Sequence, residues 1–170
     1  MSWFLTALIE ENISIQKINS LAKKYNLKFT HIENEFIRKK LPYKTRYYWV
    51  EWIDNKFFTA LEKMEDEDTI NNRLDALCGI SSEYVQRLKK ELVEERLCRH
   101  TCMDNWLNFI KDMILGEHAN IIGYLMHFYK EDPATERIRI VRTEIIHIKV
   151  FAIENIDNFE EDVLYLIFGE

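Results

Sequence analysis

The stretch DNWLNFIKDMILGEHANIIGYLMHFYK, residues 104–130, has the strongest apolar pattern in the chain. Its large apolar residues recur three and four positions apart, the spacing that places side chains on one face of an α-helix. The members of this face are Trp106, Phe109, Ile110, Met113, Ile114, Ile121, Ile122, Leu125, Phe128 and Tyr129. A helix of this length would extend roughly 40 Å, and a face this wide needs neighbours on several sides. The stretch therefore predicts a central apolar helix.

Composition favours other helices around that centre. The chain has 170 residues, 47% of them apolar, with only four glycines and two prolines. This length suits one domain, and scarce helix breakers favour long helices over a turn-rich β-sandwich. We therefore expect an all-α fold, a compact bundle of about six to eight helices that forms a single domain over residues 1–170.

The flanking sequence supplies helix boundaries. We predict helices at residues 3–11, from Ser14 to a left-handed stop at Asn26, from Ser81 or Ser82 to Cys102, from Asp132 to Ala152, and over 159–168. Two segments leave an alternative open. Residues 47–58 fit a helix or a small β-hairpin near 47–59, of which we favour the helix, and the β-branched residues after Ile138 also permit a strand.

No segment predicts membrane insertion or secretion. The longest apolar run, residues 121–126, is far shorter than the 18 or so residues that a membrane span needs, and the N-terminus has no cationic leader. The odd set of three cysteines suits a reducing compartment. These features predict a cytoplasmic protein.

The charge is unevenly distributed. Residues 1–60 carry ten Lys and Arg against six Asp and Glu, whereas residues 61–170 carry thirteen against twenty-three. A long acidic surface attracts a basic partner and repels nucleic acid. The first candidate partner-binding residues are Glu62, Glu65, Asp66, Glu67, Asp68, Glu91, Glu94 and Glu95, and a second set is Glu160, Glu161 and Asp162.

An acidic protein without a catalytic motif is best interpreted as a binding protein. In overall character the chain is similar to bacterial immunity proteins that neutralise toxins, notably those of contact-dependent growth inhibition. The resemblance implies a non-catalytic inhibitor whose carboxylates occlude the active site of a basic, nuclease-type toxin. It implies no cofactor, no metal and no enzymatic activity, and it leaves the oligomeric state open.

Two short motifs indicate two alternative functions. Arg142 and His147, in RTEIIH, have the spacing of the catalytic motif in HEPN ribonucleases, which are all-helical. The resemblance implies that Arg142 stabilises charge on the scissile phosphate while His147 moves protons. Residues 18–41 resemble a helix-turn-helix, with a basic cluster at the end of the second helix, which implies a DNA-binding regulator.

Two sets of possible metal ligands have a spacing that prevents them from binding one metal ion together. On a helix, Cys98 and Cys102 share a face while His100 points away from it, and no second pair completes a four-ligand set. His118 and His127, nine residues apart on the predicted central helix, lie on opposite sides of it. We therefore predict no metal site and no catalytic residues.

Overall fold

The computed structural model describes residues 2–34, 44–53, 69, 72–74, 82–132 and 134–169. The named elements are β1 Ser2–Glu10, α1 Ile15–Ala22, β2 Leu27–Ile32, β3 Thr45–Trp52, α2 Ser82–Leu115, β4 Ile121–Tyr129, β5 Arg142–His147, α3 Ile153–Asp157 and β6 Val163–Phe168. Short 3₁₀ turns follow α1 and β5, at Lys23–Tyr25 and Ile148–Val150. The fold is mixed α/β, so the predicted all-α bundle of six to eight helices is wrong.

In the part of the chain that the structure describes, six strands form one sheet in the order β2-β3-β1-β4-β6-β5. Every neighbouring pair is antiparallel except β5 and β6, which run parallel and are connected through α3. The register places Ala7 of β1 opposite both Tyr48 of β3 and Tyr124 of β4. Strand β5 is therefore one edge of the sheet.

Helices α1 and α2 belong to the core on one face of the sheet. Trp106 and Phe109 of α2 are fully buried, and Phe109 contacts the ring of Phe29 on β2 with centroids 4.8 Å apart. Trp106 also meets the ring of Tyr124 edge-on. Each large apolar side chain buried in this way contributes about 1.5–3 kcal/mol, so this aromatic layer fixes α2 across the middle of the sheet.

The opposite face carries a second apolar cluster. Its buried members on the strands are Leu8, Ile32, Tyr47, Leu125, Tyr129, Leu164 and Leu166. Ile138, from the segment between β4 and β5, packs against them. Strands β1, β4 and β6 are consequently buried on both faces.

Burial on both faces explains why the predicted central helix is wrong. Residues 121–129 form strand β4, in which six consecutive residues from Ile122 to His127 are buried. Strands covered on both faces have continuous apolar sequences instead of alternating ones, and such a run cannot be distinguished from a buried helix by periodicity. Only residues 104–115 of the quoted stretch are helical.

Helix α2 joins two segments that the sequence analysis separated. Its described part begins at Ser82, one of the two predicted starts, and continues through Cys102 and Asp104 to Leu115, a length of 34 residues. It ends where Glu117 takes a left-handed conformation with φ of 55°. The N–H of His118 then donates to the Met113 carbonyl at 2.9 Å.

Three other predicted helices are strands or loops. Residues 3–10 lie in β1, residues 163–168 of the predicted last helix lie in β6, and the segment from Asp132 leads by a loop to β5. For residues 47–52 the favoured helix is wrong and the strand of the hairpin alternative is confirmed, with Tyr48 and Val50 on the core face. Residues 54–58, including the proposed hairpin turn, lie outside the described residues.

Local signals in the N-terminal region are confirmed. Ser14 caps α1 by accepting a hydrogen bond from the Lys17 N–H at 3.3 Å, and Asn26 has a left-handed φ of 57°. The segment after Asn26 is strand β2, however, where a helix-turn-helix requires its recognition helix. The helix-turn-helix prediction is therefore wrong over residues 27–32, and residues 35–41 lie outside the described part.

Candidate functional site

A histidine between carboxylates lies at one end of the sheet. His127 on β4 is 8% exposed, and its ring meets the Tyr129 ring edge-on at a centroid distance of 4.6 Å. Its Nδ1 is 2.5 Å from Asp162 Oδ1, and its Nε2 is 3.3 Å from Glu136 Oε1. We call His127, Glu136, Glu161 and Asp162 the His127 cluster.

The backbone around Asp162 directs its carboxylate at His127. Asp162 precedes β6 and has a left-handed φ of 59°, a conformation that aspartate adopts more readily than most residues. Its N–H donates to the Met126 carbonyl at 3.0 Å, and its own carbonyl accepts from the Val141 N–H at 2.8 Å. Glu161 forms a β-bridge with Met126. These bonds fix residues 161 and 162 beside β4.

Glu136 is held from the other side. Its Oε2 accepts from the N–H groups of Lys130 and Glu131, each at 2.9 Å. The N–H of Glu131 is the largest influence on the pKa of Glu136 and lowers it, with His127 and Lys130 adding to this effect and burial opposing it. The Glu136 carbonyl also accepts from the Asn34 side chain at 3.0 Å. Glu136 is thus a preferentially ionised, fixed acceptor at Nε2.

Chemically, the His127 cluster is suited to holding a positive charge. A neutral imidazole has one N–H donor and one lone pair, yet carboxylate oxygens face both ring nitrogens of His127. A second proton or a metal cation therefore has to relieve one of the two contacts. The cluster is compact, because one ligand atom from each of His127, Glu161 and Asp162 lies within 4.8 Å of the others.

A second polar network lies on the neighbouring edge strand. Arg142 donates to Glu144 through Nε at 2.9 Å and to both carboxylate oxygens of Glu160, at 3.1 and 2.6 Å. The Glu160 hydrogen bonds are the largest cause that raises the pKa of Arg142. Two-point binding of this kind orients the guanidinium strongly, so this network closes the start of β5 onto the loop before β6.

The structure does not bring together the residues of the ribonuclease prediction. Arg142 and His147 are the two ends of β5, about 16 Å apart along a strand. Their separation is odd, so their side chains leave opposite faces of the sheet. Arg142 is engaged by two glutamates, and His147 Nδ1 accepts from the Lys149 N–H at 3.1 Å. The placement of this pair on a helix is wrong.

The candidate carboxylates on α2 belong to a mixed surface. Glu91 and Glu94 are exposed, and each lies 3.7 Å from a cation one turn earlier, Arg87 and Lys90 respectively. Glu95 is half-buried. The residues Glu62, Glu65, Asp66, Glu67 and Asp68 lie outside the described residues. Glu160 and Asp162 of the second set are engaged by Arg142 and His127, while Glu161 is exposed.

Among the described residues, the other histidines and cysteines form no group of three possible metal ligands. On α2, Cys102 is buried and Cys98 half-buried, while His100 is exposed and lies 3.0 Å from Asp104. His118 lies in the turn after α2 and His127 on β4, so the prediction that they share a helix is wrong. Sequence reasoning missed Glu136 altogether, because nothing local distinguishes it from other surface glutamates.

The edge of the sheet carries exposed apolar side chains. Val141 is 66% exposed and Ile145 is 69% exposed, and both lie along β5 or directly before it. Ile145 pairs with Leu166, and His127 follows two residues after Leu125, which pairs with Leu164. By strand alternation, Ile145 and His127 therefore lie on the same face of the sheet.

No family model matches this chain, nor does any curated protein or solved structure. Among the described residues, no helix is long and apolar enough to cross a membrane. The fold and the site thus define the class of protein by geometry alone. It is a mixed α/β protein with a parallel edge strand, and the exposed Ile145 of that strand lies on the same face of the sheet as the histidine–carboxylate cluster.

Proposed function

We propose that the protein is a non-catalytic inhibitor that binds a basic protein partner in the cytoplasm, the activity typical of toxin immunity proteins. One observation carries this proposal. Val141, directly before the edge strand β5, and Ile145 within it have exposed aliphatic side chains near the exposed carboxylate of Glu161.

The apolar part of this surface supplies contact area. Edge strands present unpaired backbone groups to other chains, and proteins commonly shield them with charge, bulges or a covering segment. Here Val141 and Ile145 are mostly exposed, and Thr143 between them is exposed as well. Addition of a partner strand to such an edge gives backbone hydrogen bonds, and pockets for alternate side chains give specificity.

The charged part supplies steering. Residues 130–162 carry nine Asp and Glu against five Lys and Arg. One of those cations, Arg142, is already engaged by Glu144 and Glu160. A negative surface beside the edge strand speeds encounter with a basic partner and disfavours nucleic acid. By contrast, Glu91 and Glu94 on α2 are each paired with a neighbouring cation.

The proposal is tested by affinity capture of tagged protein from host lysate in EDTA, followed by mass spectrometry at low and moderate salt. We expect one stoichiometric basic protein that is released as salt rises. Ile145→Asp and Glu161→Lys should each abolish capture. The matched control Glu91→Lys/Glu94→Lys should retain it, because these residues lie on α2, away from β5.

Circular dichroism and thermal melts would verify that each variant is folded. Recovery of nucleic acid, or of no partner, would contradict the inhibitor proposal. Equal capture by the Ile145→Asp variant would contradict the edge-strand surface, and loss of capture only in the α2 variant would assign the contact to the helix.

A further inference from the structure

We propose that His127, Glu161 and Asp162 form a binding site for a divalent transition-metal ion of the Zn²⁺ or Mn²⁺ type, with Glu136 positioning the imidazole. This inference does not rest on the proposed function, although Glu161 belongs to both sites. It rests on the distances within the cluster and on the hydrogen-bonding capacity of the histidine.

The ligand atoms are already close to a coordinating arrangement. Those of His127, Glu161 and Asp162 lie within 4.8 Å of one another. Nitrogen and oxygen ligands bind Zn²⁺ at about 2.0–2.2 Å, so two ligands of one ion lie roughly 3 to 4.4 Å apart. Asp162 Oδ1, which is 2.5 Å from Nδ1, therefore has to move slightly away, or Asp162 binds the ion through Oδ2. The exposed Glu161 side chain can rotate by the small amount required, whereas the backbone at Asp162 is fixed by hydrogen bonds on both sides.

Glu136 positions the imidazole of His127 for a cation at Nδ1. Glu136 is held by two backbone N–H groups and lies at Nε2, so it can accept an Nε2–H proton. The 2.5 Å contact between Nδ1 and Asp162 Oδ1 is a hydrogen bond whose proton lies where the ion would bind, so a metal ion has to displace that proton. Histidines that bind metals almost always donate their other ring N–H to a carboxylate or similar acceptor, and Glu136 fills that role.

The donor set selects the metal class. An imidazole nitrogen with carboxylate oxygens suits Zn²⁺ and Mn²⁺, whereas Ca²⁺ and Mg²⁺ prefer oxygen ligands alone. For a given site of this kind Zn²⁺ binds more tightly than Mn²⁺. Three protein ligands, one of them the exposed Glu161, leave further coordination positions for water or for a ligand from solution.

The test is isothermal titration calorimetry of EDTA-treated, buffer-exchanged protein with ZnCl₂, MnCl₂ and MgCl₂ in turn. We expect one ion per chain, with Zn²⁺ tighter than Mn²⁺ and Mg²⁺ much weaker. Glu161→Gln and Asp162→Asn each remove a ligand charge and keep the side-chain shape, and each should weaken Zn²⁺ binding at least about tenfold, as should Glu136→Gln through the imidazole. These variants avoid truncating the buried His127.

Two controls separate this site from adventitious binding. Glu154→Gln changes an exposed carboxylate on α3, and His100→Ala removes the exposed histidine beside Asp104, and both should leave Zn²⁺ affinity unchanged. Long-range ¹H–¹⁵N spectra should show that Zn²⁺ displaces the proton from His127 Nδ1 and leaves Nε2 protonated.

Three results would overturn the proposal. One is no binding of Zn²⁺ or Mn²⁺ at millimolar concentration; another is affinity that persists in both Glu161→Gln and Asp162→Asn. The third is an Nδ1 proton on His127 that Zn²⁺ does not displace.

Discussion

Tyr124 and Tyr165 stack on neighbouring strands with ring centroids 5.0 Å apart and 12° between their planes, but their hydroxyl groups differ. The Tyr165 hydroxyl accepts a hydrogen bond from the Glu160 N–H at 3.1 Å. The Tyr124 hydroxyl is buried without a hydrogen-bond partner in the described structure. Burial is the largest cause that raises the pKa of both phenols, so both remain neutral at physiological pH.

This difference predicts opposite effects of one substitution. Tyr124→Phe removes an unsatisfied polar group, so the free energy of unfolding should stay unchanged or rise by up to about 1 kcal/mol. Tyr165→Phe leaves the Glu160 N–H without its acceptor and should lower the free energy of unfolding by about 1 kcal/mol. Urea denaturation of the two variants makes the comparison. Equal losses in both would show that the Tyr124 hydroxyl is satisfied.

Gly123 is required by close contacts on both sides of β4. A Cβ at this position would lie 3.1 Å from Leu8 Cβ and 3.0 Å from Leu166 Cδ2. Gly123→Ala should therefore lower the free energy of unfolding by about 1–3 kcal/mol through overpacking. The matched control is Gly169→Ala, whose Cβ would meet only Ile114 Cγ2, at 3.2 Å. Denaturant midpoints of the two variants should differ, and equal midpoints would contradict the overpacking argument.

Glu117 ends α2 at a strained position. Its φ of 55° is a conformation that glycine adopts freely and other L-residues adopt at a cost. Glu117→Gly should therefore raise the free energy of unfolding by about 0.5–1 kcal/mol, measured by thermal or urea denaturation. Glu117→Ala removes the carboxylate but keeps the strain, so it should give no such gain. A gain of the same size in the alanine variant would point to charge instead.

The lowered pKa of Glu136 predicts that the stability of the protein depends on pH. Its pKa is lowered in the folded protein, so its ionisation stabilises the fold at pH above its ordinary pKa of about 4.3. That contribution is lost as pH falls through the lowered folded-state pKa. Glu136→Gln should thus be less stable than wild type at pH 7, and the difference should shrink below about pH 4. A constant difference from pH 7 to pH 3, by urea denaturation, would exclude this linkage.

Short-range features were predictable because a few neighbouring residues determine them. Ser14 caps α1 through the N–H three residues later, and Asn26 supplies a left-handed turn. Each of these features depends on backbone groups within one turn of the residue concerned. Their energies are therefore nearly the same in any fold.

Long-range pairing decided the rest of the fold. Residues 121–129 became a strand because β1 and β6 satisfy their backbone hydrogen bonds on both sides while both faces are buried. Their apolar run contains no alternation that would have indicated this, and residues 163–168 of β6 posed the same problem. Helix and strand were equally compatible with the sequence there, and only partners distant in the chain distinguished them.

The candidate site shows the same division. The sequence identified His127 as a histidine within an apolar segment and Glu161 and Asp162 as acidic residues, but it gave no reason to associate them. Asp162 reaches His127 across 35 positions because β6 pairs with β4, and Glu136 reaches it by the loop after β4. The sequence by itself determined the caps, the turn and the uneven charge, which depend on local chemistry. The tertiary structure alone decided the sheet and the His127 cluster, because strand pairing brings distant residues together.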